Sequence, residues 1–385
     1  MASVHRQSAP ARWSPLAAAL FTVVLTAAPA PALADDIRDQ QWHLDSLQVS
    51  ELHKITQGEG VTVAVIDTGV DATHPDLAGS VLPGKEFPDK GGDGHTDKDG
   101  HGTGMASLIA GHGHGTGGRD GVLGMAPKAK ILPIRVPLGK DQKSQPDDAA
   151  DAINWAVAQG AKVINLSIGQ GSSHYLSEAV ESALDQGVVI VNAAGNSVDV
   201  AEIYGIGLIP GVVVVSGTDV DGNPSTGSVT GAEVCLAAPM EKVMAAGAGK
   251  RGRYAAGTGT SDSAALVSGA AALVFSKYPG IDGNNVINRL ISTADDRGPE
   301  GRDEQYGYGV IDPLAALTED VPEVDANPLI DPPSQPSVPP TGRANSKAPA
   351  EEPGSSPGAR AAFIAIALLV IAGGAYLLLR LANRD

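Results

Sequence analysis

Apolar residues cluster in short uninterrupted runs along this chain: Val61 to Ile66, Ala129 to Val136, Lys162 to Leu166, Val188 to Asn192 and Val212 to Ser216. The runs are rich in Val and Ile and do not alternate with polar residues. That is the pattern of parallel strands buried on both faces. Between them, Asp147 to Gln159 and Ser177 to Gln186 carry apolar residues at helical spacing. Strands alternating with helices of this length predict an α/β domain with a doubly wound parallel sheet and helices on both faces. Asp262 to Lys277 differs, being small or apolar all round. Such a helix belongs inside a domain, and Pro279-Gly280 ends it.

The two ends read differently. His5, Arg6 and Arg12 precede the apolar run Leu16 to Ala28, and Ala32-Leu33-Ala34 supplies small residues before a cut at Asp35. This predicts a secretory signal peptide over 1–34. Ala361 to Leu379 is uncharged and apolar, close to the roughly 20 residues a bilayer-spanning helix needs. A transmembrane helix is therefore expected over 360–380, with 381–385 as a cytoplasmic tail carrying Arg384. Glu319 to Ala359 is rich in Pro, Ser and Asp and cannot bury a core, so 319–359 reads as an extended linker. The domain over 35–318 is then expected outside the cell, on a single-pass membrane anchor.

Composition narrows the chemistry. A formal charge of −17 over 385 residues excludes a broad nucleic-acid-binding surface. Cys235 is the only cysteine, so no internal disulfide and no paired-cysteine metal or redox site can form. It sits in the apolar stretch Ala232 to Pro239 and reads as a buried structural thiol. His95, His112 and His114 read as solvated loop residues, with no metal site predicted. The acidic stretch Asp89 to Asp99 likewise reads as solvated charge.

Four residues carry candidate chemistry. Asp67 ends the first apolar strand, where open α/β sheets place their sites. His101 lies in Asp99-Gly-His-Gly-Thr-Gly-Met-Ala-Ser-Leu-Ile-Ala-Gly111, a glycine-flanked start to an apolar helix. The same four letters recur in His114-Gly-Thr-Gly117, but Gly118-Arg-Asp-Gly121 follows, which is loop chemistry with nothing to hold a ring. Ser261 stands at the amino end of the buried helix, where backbone N–H groups meet negative charge. Asn196 follows the strand Val188 to Asn192 and offers a side-chain amide to the same charge. Singly, each has a bland reading: a turn Asp, an N-cap Ser, a left-handed Asn after Gly. Together they supply a nucleophile, a base, a group to orient the base and an oxyanion donor.

At these residues the chain resembles the subtilisin-like serine proteases, through Val65-Ile-Asp-Thr-Gly-Val70, Asp99-Gly-His-Gly-Thr103, Asn165-Leu-Ser-Ile-Gly169, Ala193-Ala-Gly-Asn196 and Gly259-Thr-Ser261. The match runs over about 40 to 317. The resemblance implies a serine endopeptidase in which Asp67 orients His101, His101 is general base then acid, and Ser261 attacks the peptide carbonyl. It implies Asn196 and the Ser261 N–H as oxyanion hole, and Ser167, Ile168 and Gly169 as a strand for the substrate, with Ala193, Ala194 and Gly195 beside the pocket. Polypeptide substrates follow, with no cofactor required; structural calcium is compatible with the family but not predicted here. Signal, domain, tether and span together are similar to the mycosins, which implies envelope secretion machinery as a partner. Gly104 stands where the family usually has His, and Asp262 follows the serine where it usually has Met.

Overall fold

Every apolar run of the sequence becomes a strand of one sheet in the computed structural model, which describes residues 36–88, 91–137, 145–167, 171–248 and 254–330. The expected signal peptide, transmembrane helix and tail lie outside the described residues, as does the linker from 331 onward. Among the described residues no helix is long and apolar enough to cross a membrane.

In chain order the first half contains α1 (Trp42–Ser46), α2 (Val49–Ile55), β1 (Thr62–Asp67), β2 (Lys85–Glu86), α3 (His101–Ala110), β3 (His112–His114), β4 (Asp120–Leu123) and β5 (Lys130–Arg135). There follow α4 (Pro146–Ala158), β6 (Val163–Leu166), α5 (His174–Asp185), β7 (Val189–Ala193), β8 (Val213–Thr218) and β9 (Val234–Pro239). The last group is β10 (Glu241–Ala246), β11 (Tyr254–Thr258), α6 (Thr260–Lys277), α7 (Gly283–Ser292) and α8 (Pro313–Thr318).

The main sheet has seven strands among the described residues, in the order β2-β5-β1-β6-β7-β8-β9, and every pairing is parallel. From β1 the chain moves to β5 on one side and then returns to β6 on the other. The sheet's direction of winding reverses at β1, and the carboxyl end of such a strand opens into a crevice. Asp67 is the last residue of β1. The alternation of strand and helix thus puts the candidate acid where a ligand can enter.

Helix α6 lies across this sheet, touching β6, β7, β8 and β9. Val267, Ala271 and Val274 are fully buried, as are the residues between them on other faces, which is why the stretch shows no polar side. At Gly269 a Cβ would stand 2.5 Å from the Met125 Cβ, so the close crossing there depends on glycine. The helix begins at Thr260, earlier than the expected Asp262, because Gly259 rather than a serine is the cap. Truncating a fully buried leucine such as Leu273 should cost about 2–5 kcal/mol.

Other elements depart from the sequence reading. Val234 to Pro239, around Cys235, is the edge strand β9, and its thiol is buried. Burial pushes that thiol's pKa up, so it is inert packing. β10 and β11 form an antiparallel hairpin tied to α3, with the Ala246 N–H donating to Ser107 Oγ at 3.0 Å. Residues 319–330, expected to begin the linker, lie against the domain. Asn288 Nδ2 donates to the Pro322 carbonyl, Asn285 Oδ1 accepts from Val324, and Leu329 is buried. Two asparagines on α7 hold this extended backbone, a polar attachment that a search for apolar residues overlooks.

Candidate active site

Asp67 is wholly buried, yet its carboxylate is fully satisfied. His101 Nδ1 lies 2.8 Å from Oδ1 and 2.9 Å from Oδ2, and the Thr68 N–H donates to Oδ1 at 2.7 Å. An ionised carboxylate only accepts, so the proton between them sits on Nδ1. That fixes the tautomer and leaves the Nε2 lone pair for a partner. His101 is the first residue of α3. The helix start can approach β1 this closely only because Gly102 has no side chain; a Cβ there would overlap the Gly69 carbonyl and lie 3.1 Å from the Asp67 Cβ.

Asp97 holds the two elements in register. Its Oδ1 accepts from the Gly100 N–H (2.8 Å) and from Thr68 Oγ1 (3.0 Å), while Oδ2 accepts from the Thr103 N–H (2.9 Å). Thr68 Oγ1 in turn accepts from the Gly102 N–H at 2.9 Å. One side chain thereby caps α3 and clamps it to the residue after Asp67. The acidic stretch was expected to be solvated; Asp97 is instead spent on orphan helix donors, and Asp89 lies outside the described residues.

Electrostatics favour a charged His101. Burial opposes the imidazolium, but Asp67, by charge and by hydrogen bond, outweighs it, and Asp262 and Asp99 add to the effect. The pKa is raised to about 9. Asp262, the residue after Ser261, is itself pushed up to about 7 by burial, against the pull of His101. The two groups are therefore close enough to act on each other.

Ser261 lies in the first turn of α6 and does not cap it. Its Oγ donates to the Ser167 carbonyl at 3.2 Å, and no hydrogen bond joins it to His101. Among the described residues none accepts from the Ser261 N–H. Asn196 is braced beside it: its Oδ1 accepts from the Thr260 N–H at 3.0 Å, which leaves Nδ2 only a long 3.4 Å contact to Asp199. The left-handed residue of this turn is Gly195, with φ of 109°, and not Asn196. Gly195 is held by its N–H to Thr260 Oγ1 at 3.1 Å. Asn196 and the Ser261 nitrogen both lie near Gly259: a Cβ on that glycine would stand 3.6 Å from Asn196 Oδ1, 3.7 Å from its Nδ2 and 3.9 Å from the Ser261 nitrogen.

The structure thus joins Asp67 to His101 directly, and Asn196 to the start of α6. Ser167 lines the same place, its Oγ 3.3 Å from the Ser261 carbonyl, while Ile168 and Gly169 lie outside the described residues. Ala194 is buried, and Ala193 and Gly195 are half-buried. Ser263 and Ser268 face away, bonded to Ala238 and Asn165. The supporting roles of Asp97, Thr68 and Thr260 were not foreseen. Two signals existed: a carboxylate a turn before a helix-starting histidine, and threonines beside both candidate residues.

Of the histidines expected as solvated loop residues, His95 lies in a loop, half-buried, while His112 and His114 lie on β3. His114 Nδ1 lies 2.6 Å from Oδ1 of the buried Asp76, on the strand β3. His112 bonds the Gly113 and Ala78 carbonyls, and His95 bonds the Leu82 carbonyl. Among the described residues no three His, Cys, Asp or Glu side chains gather as a metal site.

A buried Asp–His pair at the switch point of a parallel sheet, with a serine in the first turn of α6, is the residue set that serine hydrolases use. Residues 58–309 match the subtilase family model, and the chain belongs to that family of serine endopeptidases, which act on polypeptides. Mycosin-1 of Mycobacterium tuberculosis is 34% identical over 356 residues, covering 78% of this chain and 78% of its own. Subtilisin DY of Bacillus licheniformis is 37% identical over 264 residues, covering 68% of this chain and 92% of its own. The crystal structure of MycP1 from the ESX-1 type VII secretion system is similar with a TM-score of 0.64 at 33% identity, covering 76% of this chain and 88% of that one.

Proposed function

We propose that this chain is an exported, membrane-held endopeptidase that cleaves proteins leaving the cell through a type VII-like secretion system. Ser261 is its nucleophile, His101 its base and acid, Asp67 the group that orients His101, and Asn196 with the Ser261 N–H the oxyanion hole. The Asp67–His101 contact carries this reading: it commits Nδ1 to the carboxylate, so that Nε2 is the basic nitrogen once the ring is neutral. In this reading a change of staggered rotamer about the Ser261 Cα–Cβ bond frees Oγ from the Ser167 carbonyl for His101, at little cost. Contacts of this kind often tighten only when substrate arrives.

In the first step Oγ forms a bond to the carbonyl carbon while its proton passes to His101 Nε2. The carbonyl oxygen becomes an oxyanion within reach of Asn196 Nδ2 and the Ser261 N–H. His101 then gives that proton to the leaving amine as the peptide C–N bond breaks. A water repeats the sequence, losing its proton to His101 and releasing the acid and the serine. The reaction draws its groups from side chains and one backbone N–H and requires no cofactor.

Export and anchoring rest on the residues that flank the domain: the basic, apolar and small-residue order of 1–34 and the uncharged run Ala361 to Leu379. Secretion as the setting rests on the similarity to MycP1. Peptide hydrolysis by the full chain in membranes tests the chemistry. Wild type should cleave an unfolded polypeptide, and Ser261→Ala should not; equal cleavage by both would overturn the assignment. A protease-protection assay on whole cells tests the topology, with the domain expected to be degraded from outside.

A further inference from the structure

Strand β6 is a run of apolar residues with one amide in it. Val163, Ile164 and Leu166 are fully buried, and Asn165 among them is buried as completely. In the sheet its neighbours are Val65 of β1 and Val191 of β7, and neither offers a polar side chain. A buried amide left without hydrogen bonds would be costly. Both ends of Asn165 go to the contact between sheet and helix. Its Nδ2 donates to Ser268 Oγ of α6 at 3.2 Å, and its Oδ1 accepts from Ser167 Oγ at 3.1 Å. The single Ser167 hydroxyl proton is shared with the Ser261 carbonyl, 3.3 Å away. Ser268 stands about two turns beyond Ser261 on α6. One amide in the middle of the sheet is thereby tied to the helix at two levels, and the upper level is the turn that carries Ser261.

We propose that Asn165 is a positioning residue for catalysis: through Ser167 and Ser268 it fixes where the first turn of α6, and so the Ser261 nucleophile, stands over the end of β6. This deepens the hydrolase reading and rests on it. Small apolar side chains such as Val267 and Ala271 of α6 can repack after a small shift of the helix. Catalysis is less tolerant, since a displacement of about 1 Å at a reacting group can cost 10²-fold. Hydrogen bonds are directional and supply the finer setting. Ser167 also meets the nucleophile itself, its carbonyl accepting from Ser261 Oγ at 3.2 Å. Among the described residues the side-chain hydrogen bonds of Asn165 go to Ser167 and Ser268 alone. It therefore acts on the reaction through α6 and not through Asp67 or His101.

The test is kcat and KM of the full chain on a peptide substrate, with kcat counted per site that a fluorophosphonate labels at completion. Asn165→Ala should lower kcat per labelled site by roughly 10–100-fold and leave KM within about 2-fold of wild type. Ser268→Ala should act in the same direction by roughly 3–10-fold. Added to Asn165→Ala it should cost little more, because Ser268 acts through Asn165. A purely structural role would reduce the number of sites labelled and leave each remaining site at the wild-type rate. That result overturns the proposal, as do fully additive losses in the double variant. Should Asn165→Ala not fold, Ser268→Ala decides alone, and a wild-type kcat per labelled site overturns the proposal. A wild type that cleaves no peptide sinks the hydrolase reading. A wild type that cleaves, with Asn165→Ala as fast per site, sinks the Asn165 proposal and leaves the hydrolase standing.

Discussion

His101-Gly-Thr-Gly104 and His114-Gly-Thr-Gly117 have the same four letters, and each histidine holds a wholly buried aspartate through Nδ1, Asp67 at 2.8 Å and Asp76 at 2.6 Å. The two imidazoles are also about equally exposed, at 32% and 34% of their side-chain surface. What separates them is the next residue along. Met105 continues an apolar helix that packs on α6, whereas Gly118 and Arg119 turn the chain into the hairpin of β3 and β4. Asp67 ends a strand at the switch point. Asp76 sits in a turn, where it also accepts from the Val122 N–H at 2.8 Å and so fastens that hairpin. A histidine–carboxylate pair is thus a common way to satisfy a buried acid. In the function proposed for this chain, what makes one such pair catalytic is a nucleophile and oxyanion donors at the ring's other nitrogen.

The largest effect expected from this contrast is on turnover. His101→Ala should lower kcat/KM for a peptide substrate by about 10⁴-fold or more, while His114→Ala should leave it within roughly 2-fold of wild type. Similar losses in both would erase the distinction. A third histidine, His43 on α1, has no carboxylate at all. It is buried, its Nδ1 has no hydrogen-bond partner, and burial lowers its pKa from 6.5 to about 4. Its folded-state pKa is depressed, so the stability it contributes is present above pH 6.5 and lost as pH falls through about 4. That loss should be on the order of 3 kcal/mol. Denaturant unfolding from pH 7 to 4 should show the fall in wild type and lack that part of it in His43→Met.

Asp97 sharpens the comparison further, because the decoy pair has no such clamp linking its acid's neighbour to a helix start. Asp97→Ala should lower kcat by roughly 10–100-fold with KM nearly unchanged, since it misplaces His101 without touching substrate. A change confined to KM would contradict that role. The smallest effect belongs to the decoy's own acid. Asp76→Asn should cost about 1–3 kcal/mol in denaturant unfolding and leave kcat near the wild-type value.

Much of this molecule was legible before its structure. The strands fell within a residue or two of the apolar runs because a parallel strand buried on both faces shows its whole length as Val and Ile. Asp67 and His101 were legible because a strand end and a glycine-flanked helix start are local features. What escaped was set by contacts between distant segments. Asp97 looks like surface charge until Thr68 and Thr103 are brought to it. The hydroxyl direction of Ser261 is decided by the Ser167 carbonyl at the end of β6. The β10–β11 hairpin has the Ala- and Gly-rich sequence Tyr254-Ala-Ala-Gly-Thr258, which carries no strand signal of its own.

The most direct test is the site of covalent capture by a fluorophosphonate, mapped by mass spectrometry on the intact chain. The adduct is expected on Ser261, lost in His101→Ala and retained in His114→Ala. Labelling at another serine, or labelling of Ser261 that survives the loss of His101 at an undiminished rate, would contradict the account.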